Sequence, residues 1–203
     1  MNIFLATATK KVQSLFLTAN CALLTYHKDN YTKSAKLEKT KTNNTMPNWC
    51  NNQLTIGDCS PELAAYLQEN GLSFDKIKPT PPEKLTDEKG SWYQWRVDNW
   101  GTKWDLTEQE QKEVADWLLS DSAGFTACFD TAWSPPCQAI AALSAMFPND
   151  HFVLDYLELG MMFGGTAHIS DGVSIEDDIF NDEESIRAFA LEVFGYDLSE
   201  ADE

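Results

Sequence analysis

Phe125-Thr126-Ala127-Cys128-Phe129-Asp130-Thr131-Ala132-Trp133, followed at once by Ser134-Pro135-Pro136, is the stretch on which the fold turns. Phe125, Ala127, Phe129, Thr131 and Trp133 recur at period two, which places them on one face of a β-strand. Ser134 then reads as a helix N-cap with Pro135 at the first helical position, and Ile140, Leu143 and Phe147 line one side until Pro148 stops the helix. His151 to Leu159 follows as another strand and ends at Gly160. Strand, helix and strand in that order form the unit around which the other elements must be arranged.

Upstream, Gln53-Leu54-Thr55-Ile56 alternates polar and apolar as a half-buried strand does. Ser60 and Pro61 open a helix whose Leu63, Tyr66 and Leu67 share a face before Asn70-Gly71 ends it. Pro79, Pro81 and Pro82 exclude regular structure from residues 72 to 91, leaving a crossing loop. A short strand is expected around Trp100 to Asp105. Thr107 and Glu110 then form a capping box for a helix over about 108 to 119, with Val114, Trp117 and Leu118 as its apolar face. Downstream, residues 161 to 173 are strand-like, with the hairpin turn at Gly160 or at Gly164-Gly165. A last helix starts near Asn181, buries Ile186, Phe189, Ala190, Val193 and Phe194, and ends at Gly195. With the helix at 108 to 119 set aside as an insertion, the central order is βαββαβ. That predicts an α+β ferredoxin-like fold: an antiparallel sheet with helices on one face, an extra β-strand and a C-terminal helix.

The chain of 203 residues carries a formal net charge of −17, and the charge is unevenly distributed. Residues 1 to 45 hold seven Lys against Asp29 and Glu38, a sum of +5, so residues 46 to 203 carry −17 − 5 = −22. A surface that acidic repels phosphate backbones and speeds association with basic partners, which disfavours direct nucleic-acid binding by residues 46 to 203. Lys10 and Lys11 precede an apolar run, Leu15 to Leu24, but Thr18, Asn20 and Cys21 interrupt it and no cleavage pattern follows, so it fits a signal peptide poorly. The Lys-, Thr- and Asn-rich residues 25 to 45 predict disorder, and Met46 is the expected natural start. The sequence has no apolar run long enough for a membrane helix. Five cysteines without a Cys-x-x-Cys pair, and histidines only at 27, 151 and 168, predict reduced thiols in a cytoplasmic protein with no metal and no cofactor.

Trp92 to Trp104 concentrates four of the seven tryptophans, interleaved with Arg96, Asp98, Asn99 and Lys103. Met46-Pro47-Asn48-Trp49-Cys50-Asn51-Asn52, Asn99-Trp100-Gly101-Thr102-Lys103-Trp104-Asp105 and Thr131-Ala132-Trp133-Ser134-Pro135-Pro136, in that order, resemble the YubB-type ferredoxin-like domain family of plasmid and bacteriophage proteins. The resemblance spans about residues 46 to 175 and implies the ferredoxin-like fold, a start at Met46 and an origin in a mobile element. It implies no activity.

Two readings of the Trp-rich motifs stay open. Trp49, Trp100, Trp104 and Trp133 can plug the sheet, with Asn99 and Asp105 tying off turns, or they can line a binding site in which Asn99, Lys103 and Asp105 are the polar contacts. Pro47, exposed as a secondary amine after removal of Met46, is the sharpest enzymatic candidate, although no partner that would orient it can be named. Glu176, Asp177, Asp178, Asp182, Glu183 and Glu184 form a second candidate surface. They lack calcium-loop spacing, and they can be a solvated face or a mimic of a phosphate backbone. The expected function is therefore that of a non-enzymatic protein-binding module acting on a host or mobile-element protein, with an anti-defence role as one instance. The alternative is a small-molecule-binding domain or enzyme built on the Trp-rich region.

Overall fold

A computed structural model describes residues 48–57, 59–86, 91–120 and 125–198. Pro47, Met46 and the Lys-rich stretch before them lie outside these residues, as does the disorder expected there. Five strands, β1 Trp49–Ile56, β2 Phe125–Ala132, β3 Phe152–Glu158, β4 Phe163–Ser170 and β5 Val173–Phe180, make one sheet in the order β2-β1-β3-β4-β5. Every neighbouring pair is antiparallel. The helices are α1 Pro61–Asn70, α2 Phe74–Ile77, α3 Pro82–Leu85, α4 Ser91–Trp100, α5 Glu108–Leu118, α6 Cys137–Met146 and α7 Glu183–Phe194. β2 and β3 run parallel through α6 with β1 inserted between them, which is the split βαβ arrangement of a ferredoxin-like α+β fold.

Alternation along β1 decides which face of the sheet receives the helices. Cys50, Asn52, Leu54 and Ile56 are buried under the helical layer with Leu63, Leu67, Val114, Leu118, Ile140 and Leu143, while Asn51, Gln53 and Thr55 point to the other face. α7 closes one corner of that other face with Ile186, Phe189, Ala190 and Phe194 against Leu157. Gly164 makes this approach possible, since a Cβ there would lie 3.3 Å from Phe189 Cδ1 and 2.9 Å from the Tyr156 carbonyl oxygen. Among the described residues no helix is long and apolar enough to cross a membrane.

Several expected elements differ. Trp100 to Asp105 is not a strand: Trp100 ends α4 and the chain then bends at Gly101, whose φ of 89° leaves the extended region. The crossing loop holds two single-turn helices, because Pro82 sits in the first turn of α3, where a missing N–H is harmless. Ser134 does not cap α6, which starts at Cys137 after Pro136, and the Ser134 hydroxyl instead donates to the Gly101 carbonyl. Gly164 and Gly165 lie inside β4. The first hairpin turns at residues 159–162, and a second, at Asp171-Gly172 with φ of 46° and 78°, leads into β5. The acidic residues 176 to 178 concealed that strand, whereas the N-cap at Asp182 and the left-handed Gly195 bound α7 within a residue of expectation.

Candidate functional site

The three Trp-containing motifs meet at one end of the sheet, and hydrogen bonds lock them together. The Trp133 N–H donates to the Asn48 carbonyl at 2.9 Å, and the Thr102 hydroxyl donates to the Ala132 carbonyl at 2.9 Å. Asn52, buried beneath the helices, donates to Thr131 Oγ1 at 2.9 Å and to the Cys50 and Phe129 carbonyls, while Thr131 donates to the Ser134 carbonyl at 2.8 Å. Gly101 fits only because it lacks a side chain, since a Cβ there would meet Gln138 Oε1 and lie 2.5 Å from the Pro135 carbonyl oxygen.

Much of the Trp-rich segment is committed inward. Trp100 is fully buried and its indole N–H donates to the Lys78 carbonyl at 2.8 Å. The Asp105 carboxylate accepts from the Ser73 hydroxyl and from the N–H groups of Phe74, Asp75 and Leu106, so it clamps the start of α2. Asn99 donates to the Trp95 carbonyl one turn back in α4. The Asn99 and Asp105 side chains thus both bond within the chain.

What faces outward is a ladder of alternating rings and cations. Trp49 packs on Trp104 at 6.4 Å between centroids, Lys103 Nζ lies 4.3 Å from the Trp104 centroid and 5.7 Å from that of Tyr93, and Tyr93 meets Trp92 edge-on at 6.1 Å. The Arg96 guanidinium lies 5.2 Å from the Trp92 centroid and 4.6 Å from that of Trp100. Each cation thus lies close to two aromatic rings, and among the described residues neither has an ion pair. The ladder runs from the buried Trp100 to Tyr93 and Trp49, which are 42% and 41% exposed. Trp133 stands at the same end of the sheet, 43% exposed, with φ of 74°. A left-handed backbone costs a tryptophan roughly 1–2 kcal/mol, and the bond from its N–H to Asn48 holds it there. Period-two reasoning missed this, because it continues the strand one residue too far.

The acidic residues fall in two elements. Glu176, Asp177 and Asp178 lie in β5, with Asp177 the extra residue of a bulge opposite Thr166-Ala167. Asp182, Glu183 and Glu184 lie at the start of α7, where the helix dipole favours carboxylates. Asp182 accepts from the Ser185 N–H, which holds its carboxyl below the usual range, and Glu183 pairs with Arg187 at 2.8 Å.

Three of the described thiols are held in their protonated form. Burial pushes Cys128 up to about 12, with Asp130 and Asp155 adding to the shift, and burial also raises Cys50 and Cys59. Thiols held this way stay protonated and poorly nucleophilic at neutral pH. Among the described residues no group of three or more His, Cys, Asp or Glu side chains could hold a metal ion.

A family model described as a ferredoxin-like domain in Api92-like protein matches residues 100–199. The match takes in β2 to β5 and leaves out β1, the strand between β2 and β3. It agrees with the fold that the motif resemblance implies, and it carries neither the YubB name nor a plasmid or phage origin. No curated protein and no solved structure matches the chain.

Proposed function

We propose that this chain is a protein-binding module that performs no chemistry on its partner. Its contact surface is the aromatic rim of Trp49, Tyr93, Lys103, Trp104 and Trp133. The observation that carries this reading is the pair Trp49 and Trp133, held at one end of the sheet and left 41% and 43% exposed while the polar groups beside them bond internally. Covering the exposed part of each indole, roughly 100 Å², is worth about 2–3 kcal/mol at ~25 cal/mol/Å², the scale of an interface hot spot. A small-molecule pocket would enclose most of its ligand. Here the enclosed part of the ladder is already filled by Trp100, Arg96 and the Lys78 carbonyl, and the open part is a rim. A mobile-element origin, with a host or element protein as the partner and an anti-defence role, enters the proposal on the resemblance of the three motifs alone.

The test is affinity capture with the full chain, run beside Trp49→Ala and Trp133→Gly variants whose folding is checked by circular dichroism. A specific partner that both variants lose supports the reading. A partner that both variants retain at full yield removes the rim from consideration. A small molecule that raises the melting temperature of the parent but not of Trp133→Gly would favour the ligand-binding alternative instead.

A further inference from the structure

The two edges of the sheet are treated differently. At the β2 edge, α5 packs alongside the strand and Thr102 caps the Ala132 carbonyl. At the β5 edge, among the described residues, no strand pairs outside Val173–Phe180, and Val173, Ile175 and Ile179 are 56%, 57% and 61% exposed. An edge strand with free backbone groups and uncovered apolar side chains is a template for one more strand. Register fixes where these side chains lie. Ile175 pairs with His168 and Val173 with Ser170 on the face away from the helical layer, and after the bulge Ile179 pairs with Gly165 on the helical face. An added strand would therefore gain apolar contacts on both sides of the sheet.

Charge decides the occupant. Residues 46 to 203 carry −22 and Asp178 is exposed in β5, so a second copy would bring like charge to this edge. A strand carrying Lys or Arg among apolar residues would meet opposite charge instead. We infer that the β5 edge is a second interaction surface, which accepts an extended, basic and apolar segment of a partner protein as a sixth strand. Because β5 lies four strand spacings from β2, roughly 19 Å at about 4.8 Å each, it is separate from Trp133 and can be tested without the aromatic rim.

The probe is a labelled synthetic peptide of alternating valine and lysine, with a peptide of equal charge interrupted by prolines as control. Both are titrated into the full chain by fluorescence anisotropy, and hydrogen exchange is measured with and without peptide. The inference expects binding by the alternating peptide, weakened about tenfold or more by the prolines, which cannot donate to the ladder. It also expects new amide protection along residues 173–180, loss of binding in Ile175→Lys/Ile179→Lys, and unchanged binding in Trp133→Gly. Equal binding of both peptides would show diffuse charge attraction and overturn it. So would protection that appears elsewhere, an absence of binding, or sedimentation showing that the chain pairs with itself through β5.

Discussion

Arg96 and Lys103 occupy the same kind of place, each beside two aromatic rings in one continuous ladder, yet they belong to different parts of the molecule. Arg96 lies at the inner end, against the fully buried Trp100, and its Nε–H also donates to the Thr80 hydroxyl at 3.1 Å. Lys103 lies at the outer end between Trp104 and the exposed Tyr93. A cation over a ring is worth about 0.5–1 kcal/mol in water and about 2 when desolvated. The inner pairing therefore belongs to the stability of the fold, and the outer one is the part that the proposed binding role would use.

The largest expected effect contrasts the ends of the ladder. Trp100→Ala empties a buried site and removes the bond to the Lys78 carbonyl, for a loss of about 3–5 kcal/mol. Trp49→Ala, half exposed, should lose about 1–2 kcal/mol by the area it buries. Urea denaturation decides between them, and equal losses would erase the distinction. Gly101→Ala comes next, at about 2–4 kcal/mol, because the new methyl must displace the Pro135 carbonyl from a backbone at φ 89°. A thermal shift no larger than that of a surface substitution would mean that the motif junction is looser than its geometry. Arg96→Met should then destabilise by about 2 kcal/mol and Lys103→Met by no more than about 1, with partner binding reduced only by the latter. The smallest change is the most diagnostic. Trp133→Gly relieves a left-handed tryptophan and should leave stability within about 1 kcal/mol of the parent, while binding at the rim is lost. If instead the protein unfolds readily and binding survives in the folded fraction, Trp133 is a structural plug.

The helix boundaries that were legible have local signals. Ser60-Pro61 and the Thr107 and Glu110 box each open a helix where expected, Gly195 ends one as expected, and Asp182 caps that helix one residue past Asn181. The errors fall where tertiary contacts override local pattern. Trp100 looks strand-like among aromatics but is drawn into the core at the end of α4. Ser134 has N-cap chemistry but finds Gly101 instead of α6. β5 is carboxylate-rich because it is an edge, and only pairing with β4 identifies it as a strand. The three motifs that stand out in the sequence do meet at one end of the sheet. The sequence could not show that Trp100 is buried and that Asn99 and Asp105 bond within the chain while Trp49 and Trp133 stay exposed, since that division depends on which neighbours claim each polar group.

The place of β1 between β2 and β3 has a consequence for how the chain acquires its structure. Its partners come late: Asn51 bonds Asp130 across 79 positions of sequence, and β3 lies further on still. Closing such long loops before any ladder rewards them is slow, which places refolding in the milliseconds-to-seconds range, and a stopped-flow trace much faster than ~1 ms would contradict this. During synthesis β1 waits with both edges bare until β2 and then β3 emerge. A chain interrupted before Phe152 would keep one side of its central strand open to pairing with whatever extended segment lies nearby.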